Sequence, residues 1–333
     1  TYTIDIDPDT TGQGPGWTAV LKSMAAASNG KYFAVSSASG GAEITEALGQ
    51  ILSEIQAVNT VFASVSLPVS VNTEGTYLNQ VFIGMFRPDE KGLPRWRGNL
   101  KQYRLALSGS ELNMVDANGR GAVNSQSGFI DYCARSYWTP TAADTYWAFS
   151  PQGNCQANDS DDPSNFPDGN VVEKGGQAHV QRGLAIRTPT TCSTSFSTCS
   201  STATLPTFTS AIATTAALQA VDNTERDRII SWAKGQDILD ENINGNTTEA
   251  RPSMHGDVVH SRPLAINFAT GASADTDPRV VVVYGGNDGF LRAINGNRDT
   301  SLYGVPAGGE LWSFVPPEFF PGLTRLYRNE QTI

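Results

Sequence analysis

Apolar residues in the first part of the chain alternate between strand-like runs and helical spacing. The segments "TYTIDID" and "KYFAV" have strand character, and "GWTAVLKSMAAASNG" between them predicts a helix that Gly30 ends. In a second predicted helix the apolar residues share one face: Ile44, Leu48, Ile51, Ile55 and Val58. Strand, helix, strand and helix in succession are typical of a doubly wound α/β sheet.

The pattern changes to β near residue 60. The runs "TVFASVSLPVSV", "QVFIGMFRP" and "KQYRLAL" predict strands, and the last two are separated by the turn "PDEKGLPRWRGN". In this turn Arg95, Trp96 and Arg97 are either an exposed recognition patch or a Trp packed on the sheet edge between two solvated arginines. We favour the second interpretation.

Residues 108–223 are polar and rich in turn residues, which predicts an irregular insertion whose variable loops are suited to carry specificity. A short amphipathic helix follows in "TERDRIISWAKGQD", with Ile229, Ile230 and Ala233 on its inner face. Near the end, "PLAINF", "RVVVVYGG", "FLRAIN" and "GGELWSF" predict an antiparallel sheet with Gly, Asn and Asp in its turns.

Length and charge narrow the classes of function. The chain has 333 residues and a formal net charge of −10, so we expect about two or three domains and no nucleic-acid partner. No apolar run has the length of a transmembrane segment. The chain begins without Met or a signal peptide, so we expect it to be a processed or partial segment of a longer protein.

The cysteines indicate an oxidising compartment. Cys133, Cys155, Cys192 and Cys199 lie in loop-like sequence, and none forms a C-x-x-C pair. Loop entropy favours links between near neighbours, so we predict the disulfides Cys133–Cys155 and Cys192–Cys199. Free buried thiols are the alternative.

Two resemblances suggest a family. The stretch "LKSMAAASNGKYFAVSSASGGAEITEALGQIL" resembles the closing third of a von Willebrand factor A domain, although the D-x-S-x-S metal motif of that domain does not occur in this chain. The order "RPSMHGDVVHSRP", "YGGNDGFLRAIN" and "ELWSFVPPE" resembles the entry to the quinoprotein-like β-propeller of PilY/PilC-type proteins, which assemble type IV pili or act as their tip adhesins.

The resemblance implies a mixed fold. We expect the C-terminal part of a doubly wound α/β von Willebrand A domain at 1–67 and a β-rich linker at 68–107. An irregular, disulfide-stapled insertion follows at 108–223, then a helix and turn connector at 224–252. The first blade or blades of a β-propeller begin at 253–333.

The segment "GDVVHSRPLAINF" also admits a catalytic interpretation, since it contains Asp257, His260 and Ser261. However, neither G-x-S-x-G nor H-E-x-x-H occurs in the chain. We therefore expect Asp257 to cap the turn and Pro263 to precede a strand.

The segment "DENING" fits the first half of a calcium loop, with Asp240, Asn242 and Asn244 at positions one, three and five. Arg251 occupies position twelve, where a bidentate Glu is expected, and Glu249 is two residues early. A hydrated turn is the interpretation we favour over a weak Ca²⁺ site. The resemblance implies a Ca²⁺ site of its own, deeper in the propeller beyond residue 333.

The leading hypothesis is a non-enzymatic, type IV pilus-associated protein of a bacterial cell surface, exported through the periplasm. The resemblance implies minor pilins and a host or abiotic surface receptor as partners. The alternatives are the propeller of a quinoprotein (PQQ) dehydrogenase and a generic secreted adhesive matrix protein. The dehydrogenase would need a full ring of blades, a Ca²⁺ ion and a catalytic carboxylate.

Overall fold

The chain forms two compact units, Thr1–Thr60 and Val61–Ile333. The computed structural model describes residues 1–8, 14–28, 31–39, 41–59, 62–66, 79–89, 91–108, 111–125, 128–141, 167–184, 186–193, 195–199, 204–251, 254–269 and 278–330. Among these residues, no helix has both the length and the apolar character that crossing a membrane requires.

The first unit alternates strands and helices, in the order that its pattern predicts. Strands β1 (Thr3–Ile6) and β2 (Tyr32–Val35) pair in parallel, and helix α1 (Gly14–Ala27) connects them. Helix α2 (Ala42–Asn59) follows a 3-10 turn at Ser37–Ser39.

The predicted inner face of α2 is only partly buried. Ala47 is buried, Ile44 and Ile51 are half-buried, and Leu48 is 46% exposed. Ile55 and Val58 lie outside the side chains that the structure describes.

The second unit begins with a four-stranded antiparallel sheet. Its strands, in spatial order, are β3 (Phe62–Ser66), β4 (Gln80–Arg87), β5 (Arg97–Ser108) and β6 (Glu111–Val115). Strand β4 is buried on both faces, which explains its nearly continuous apolar run. Val81, Ile83 and Met85 pack in one cluster, and Phe82 points into another with residues of the second sheet.

The second sheet is also antiparallel and four-stranded. Strands β7 (Leu264–Asn267), β8 (Val280–Gly285), β9 (Leu291–Asn295) and β10 (Glu310–Phe314) follow one another in chain order. Pro263 lies directly before β7, where its missing N–H costs no ladder hydrogen bond. Strand β8 carries the valines that join the cluster around Phe82.

The second unit also contains helices, which contact strand β5 or one another. Short helices α3 (Gly176–Arg182) and α4 (Thr215–Leu218) precede α5 (Asn223–Ala233), and α6 (Phe320–Arg328) follows a 3-10 turn at Pro317–Phe319; another 3-10 turn spans Phe196–Thr198. The side chain of Asp222 caps α5 by accepting from the N–H of Glu225 at 2.8 Å.

The prediction for the inner face of α5 is confirmed. Ile229, Ile230 and Ala233 are buried, and Trp232 is buried beside them. These residues pack in one cluster with Phe208 and residues of α6.

The range 108–223, predicted as an irregular insertion, contains strand β6 and helix α3, and part of it is buried against β5. Lys101 of β5 is fully buried and donates to Asp168 Oδ2 at 3.0 Å and to the carbonyl of Val171 at 2.7 Å. A buried ammonium needs such acceptors, so this ion pair anchors the 168–172 segment to the sheet.

Candidate functional site

A chain of buried ion pairs joins the parts of the second sheet. Arg292 of β9 binds the carboxylate of Asp288 with both terminal nitrogens and lies 3.7 Å from Glu310 Oε2. Arg187 approaches the same Glu310 oxygen at 3.4 Å. Burial alone would raise the pKa of Asp288, but the adjacent Arg292 guanidinium holds it well below its usual range. The carboxylate is therefore charged and committed to a structural pair.

The "GDVVH" segment is held against these ion pairs by close backbone packing. The N–H of Gly256 donates to Asp288 Oδ2 at 3.1 Å. On its other side Gly256 forms a β-bridge with Arg97, next to Gly98. A Cβ atom on Gly98 would overlap the carbonyl oxygen of Gly256, so only glycine permits this contact.

His255 lies inside the unit and is held by uncharged partners. Its Nε2 is 2.7 Å from the hydroxyl of Tyr284 and also contacts the amide oxygen of Gln177. Burial, together with the nearby Arg292 charge, lowers the pKa of His255 well below its ordinary value. The imidazole is therefore neutral and serves as a hydrogen-bonding core residue.

In the "GDVVHSRPLAINF" segment, Asp257 and His260 both contact the side-chain amide of Asn287, whereas Ser261 binds β8. Ser261 accepts a hydrogen bond from the N–H of Gly285 at 2.8 Å, which fastens the motif to β8. His260 is exposed, with Nδ1 3.1 Å from the amide nitrogen of Asn287. The remaining histidine, His179, lies on α3 beside Arg182.

Two adjoining cavities form a groove on the second unit, which we call the Asp257 groove. Their volumes are about 190 Å³ and about 500 Å³. Six residues line both: Pro94, Trp96, Asp257, Asn287, Asp288 and Leu326. The larger volume lies within the range of about 300–1,000 Å³ that is common for small-molecule sites.

Asp257 is the polar centre of this groove. Only 4% of the residue is exposed, and its Oδ1 accepts from Asn287 Nδ2 at 2.6 Å and from the N–H of Val259 at 3.4 Å. The bond from Val259 agrees with the turn-capping role predicted for Asp257. Burial raises the pKa of Asp257, and the like charge of Asp288 acts in the same direction.

The "RWR" segment differs in part from its prediction. Trp96 packs nearly parallel to Phe86, with ring centroids 6.2 Å apart, as expected for a Trp on the sheet. The prediction that both flanking arginines are solvated is wrong for Arg95, which is largely buried. Arg95 donates to the carbonyls of Leu326 and Tyr327 at 3.0 and 2.9 Å, because the end of α6 leaves these acceptors unpaired.

Arg95 also takes part in a cation–π stack. The Trp232 ring lies 4.9 Å from the Arg95 guanidinium and 4.0 Å from that of Arg251. Glu241 pairs with both arginines, at 2.6 and 3.9 Å. Arg251, which occupies position twelve of the calcium pattern, therefore belongs to the wall of the groove.

The calcium candidates come together, but their groups bind one another. The Nδ2 atoms of Asn242 and Asn244 donate to Glu249 Oε1 at 2.7 and 2.6 Å. Asp240 Oδ1 accepts from the backbone N–H groups of Asn244 and Gly245 at 2.9 and 3.1 Å. In the part of the chain that the structure describes, no group of three or more His, Cys, Asp or Glu side chains is arranged to hold a metal ion.

The three cysteines that the structure describes lie outside its helices and strands. Cys192 and Cys199 form a disulfide, as predicted, with their Cα atoms 5.0 Å apart. Cys133 is disulfide-bonded as well. Its predicted partner, Cys155, lies outside the described residues.

Sequence patterns did not single out the ion-pair residues Asp288, Arg292 and Glu310. A signal was present, since Arg292 interrupts the apolar run "FLRAIN" at a position that faces the interior. A charge within a buried strand requires a partner, and Asp288 is four residues away across the turn.

The described residues thus define a protein of mixed helices and small sheets, with a polar groove above a buried ion-pair chain. No family model, curated protein or solved structure matches the chain.

Proposed function

We propose that this protein is a non-enzymatic, type IV pilus-associated protein of the bacterial cell surface. It acts as a tip adhesin or pilus assembly factor, in surface attachment and pilus biogenesis. Its partners are minor pilins on one side and a host or abiotic receptor on the other.

One observation carries the proposal. The three motifs whose order resembles PilY/PilC-type proteins all contribute to the same ion-pair chain. The first supplies the Gly256 N–H, the second supplies Asp288 and Arg292, and the third supplies Glu310. Interdependent contacts of this kind give a reason for the motifs to occur together in one chain.

The chemistry of the buried groups also supports a structural role. His255 is neutral and fixed by Tyr284 and Gln177, and Asp288 is neutralised by Arg292. A general acid or base needs a pKa near the working pH. Burial lowers the pKa of His255 and the Arg292 guanidinium lowers that of Asp288, so both pKa values lie away from neutral pH.

The decisive experiment is deletion of the gene in the bacterium that encodes it, with complementation by the wild-type gene. We expect loss of surface piliation or of attachment, measured by electron microscopy and by adhesion to cells or to a solid support. Unchanged piliation and attachment would contradict the pilus assignment.

A second measurement tests the alternative enzyme. Purified protein is incubated with pyrroloquinoline quinone and Ca²⁺ and assayed with alcohols and sugars and an artificial electron acceptor. We expect no turnover. Oxidation of either substrate class would favour a quinoprotein dehydrogenase instead.

A further inference from the structure

Asp257 is an unusual carboxylate for a structural residue. It is almost completely buried, yet only its Oδ1 accepts hydrogen bonds from the described residues, and no cation pairs with it among them. Its second oxygen, Oδ2, accepts no hydrogen bond from those residues and is not one of their fully buried, unpaired polar atoms. Asp257 lines both cavities, so a ligand in the groove can donate a hydrogen bond to this oxygen.

The charges that line the groove balance one another. Four arginines and four carboxylates line its two cavities: Arg95, Arg97, Arg251 and Arg325, and Asp89, Glu241, Asp257 and Asp288. A cationic ligand that paired with Asp257 would meet the arginines of the same groove, and an anionic ligand would meet Asp257 itself. This balance favours an uncharged ligand.

The groove also combines apolar surface with hydrogen-bonding groups. Trp96 lines both cavities and is held in place by Phe86, and Phe319, 53% exposed, lines the larger cavity. The side chains of His260 and Arg325 line that cavity too. A ligand that fits has an apolar face for a ring and several hydroxyls that both donate and accept.

We propose that the Asp257 groove binds a neutral saccharide of one or two rings. An uncharged sugar presents C–H groups on the face of its ring and hydroxyls around its edge. One hydroxyl donates to Asp257 Oδ2, and the amide of Asn287 and the side chain of Arg325 contact others. The inference deepens the proposed function, on which it rests, by giving the chemical class of the surface receptor.

The test uses the whole 333-residue chain and a panel of galactose, mannose, N-acetylglucosamine, lactose and maltose. Binding is measured by isothermal titration calorimetry, and contact with Trp96 by tryptophan fluorescence. We expect at least one sugar to bind at millimolar or lower concentration. Asp257→Asn should lower the affinity for that sugar by about tenfold or more, because an amide replaces a charged acceptor.

Two further variants keep this result interpretable. Asp227→Asn makes the same chemical change on an exposed helix position away from the groove and should bind the sugar as the wild type does. His260→Ala, at an exposed position on the groove, should weaken binding without unfolding the protein. Thermal unfolding of each variant shows whether it is folded, and Asp257→Asn should remain folded because it removes a buried charge.

Several outcomes would overturn the proposal. These are no binding by any sugar of the panel, sugar binding that Asp257→Asn does not change, and Asp257-dependent binding of a lysine-rich peptide in place of sugar. The gene deletion distinguishes failure of the saccharide proposal from failure of the proposed pilus function. Loss of attachment by the deletion strain, together with absent sugar binding, would reject the saccharide and retain the pilus assignment.

Discussion

Asn287 and Asp257 are joined by two hydrogen bonds. The N–H of Asn287 donates to the backbone carbonyl of Asp257 at 2.8 Å, and its side-chain Nδ2 donates to Asp257 Oδ1 at 2.6 Å. The turn after β8 is thereby fixed to the "GDVVH" segment. Asp288, the next residue in that turn, then accepts from Gly256 and binds Arg292.

Gly98→Ala tests the close approach of two backbones in this region. The new methyl group would overlap the carbonyl oxygen of Gly256, and we expect a loss of about 1–3 kcal/mol in the free energy of unfolding. Urea denaturation followed by tryptophan fluorescence measures it. Gly121→Ala is the matched control, since nothing lies within 4 Å of its added Cβ. Equal stability of the two variants would contradict the contact.

Asp288→Asn tests the buried ion-pair chain. The change leaves the guanidinium of Arg292, only 1% exposed, without its principal partner. Breaking a buried pair in this way costs about 3–5 kcal/mol, which should appear as a lower denaturation midpoint. The same substitution at exposed Asp227 should leave the midpoint unchanged. If Asp288→Asn had the denaturation midpoint of the wild type, the buried ion pairs would add little to stability.

The buried imidazole of His255 predicts that acid destabilises the fold. In the unfolded chain His255 titrates near its ordinary pKa of 6.5. In the folded protein its pKa is well below that value, and burial is the main cause. The unfolded state therefore binds more protons below pH 6.5, and stability falls as the pH decreases from there.

The free energy of unfolding should fall with a slope that approaches about 1.4 kcal/mol per pH unit between about pH 6 and 5. Urea unfolding at a series of pH values measures it. His255→Gln should be less stable at neutral pH and should show a flatter dependence in this window. A slope that His255→Gln leaves unchanged would assign the effect to other groups.

Local patterns predicted those features that depend on neighbours in sequence. The inner face of α5 follows from helical spacing, and the Cys192–Cys199 disulfide closes a short loop of sequence separation 7. Trp96 on the sheet followed from its position in the turn between two predicted strands.

Features that depend on partners distant in sequence could not be predicted from local patterns. Lys101 lies in the predicted strand "KQYRLAL", and its buried partner Asp168 is 67 residues away. Arg95 is held by carbonyls of α6, more than 200 residues later in the chain. The Asp257 groove likewise forms only when the segment before β5, the "GDVVH" motif and the turn after β8 meet.

The disulfides can be mapped directly. We expect non-reducing peptide mapping to recover the link between Cys192 and Cys199 seen in the structure, and a link between Cys133 and Cys155. Replacing Cys192 and Cys199 together by Ala should cost about 2–3 kcal/mol, because a closed loop of this length limits the unfolded chain. A Cys155–Cys192 link, or four free thiols, would contradict the prediction.

The loop at 240–249 should bind Ca²⁺ weakly at most. Ca²⁺ prefers six to eight oxygen ligands and gains tight binding from a bidentate carboxylate. Here the Glu249 carboxylate accepts from the Asn242 and Asn244 amides, and Asp240 accepts from the loop backbone. Binding would require both amides to turn their oxygens toward the ion and Glu249 to release them.

Calorimetric titration with Ca²⁺ should therefore show no submicromolar site in this chain. Asp240→Ala should lower stability through loss of the loop bonds, with little effect on Ca²⁺ binding. A submicromolar affinity that Asp240→Ala abolishes would establish the loop as a calcium site instead.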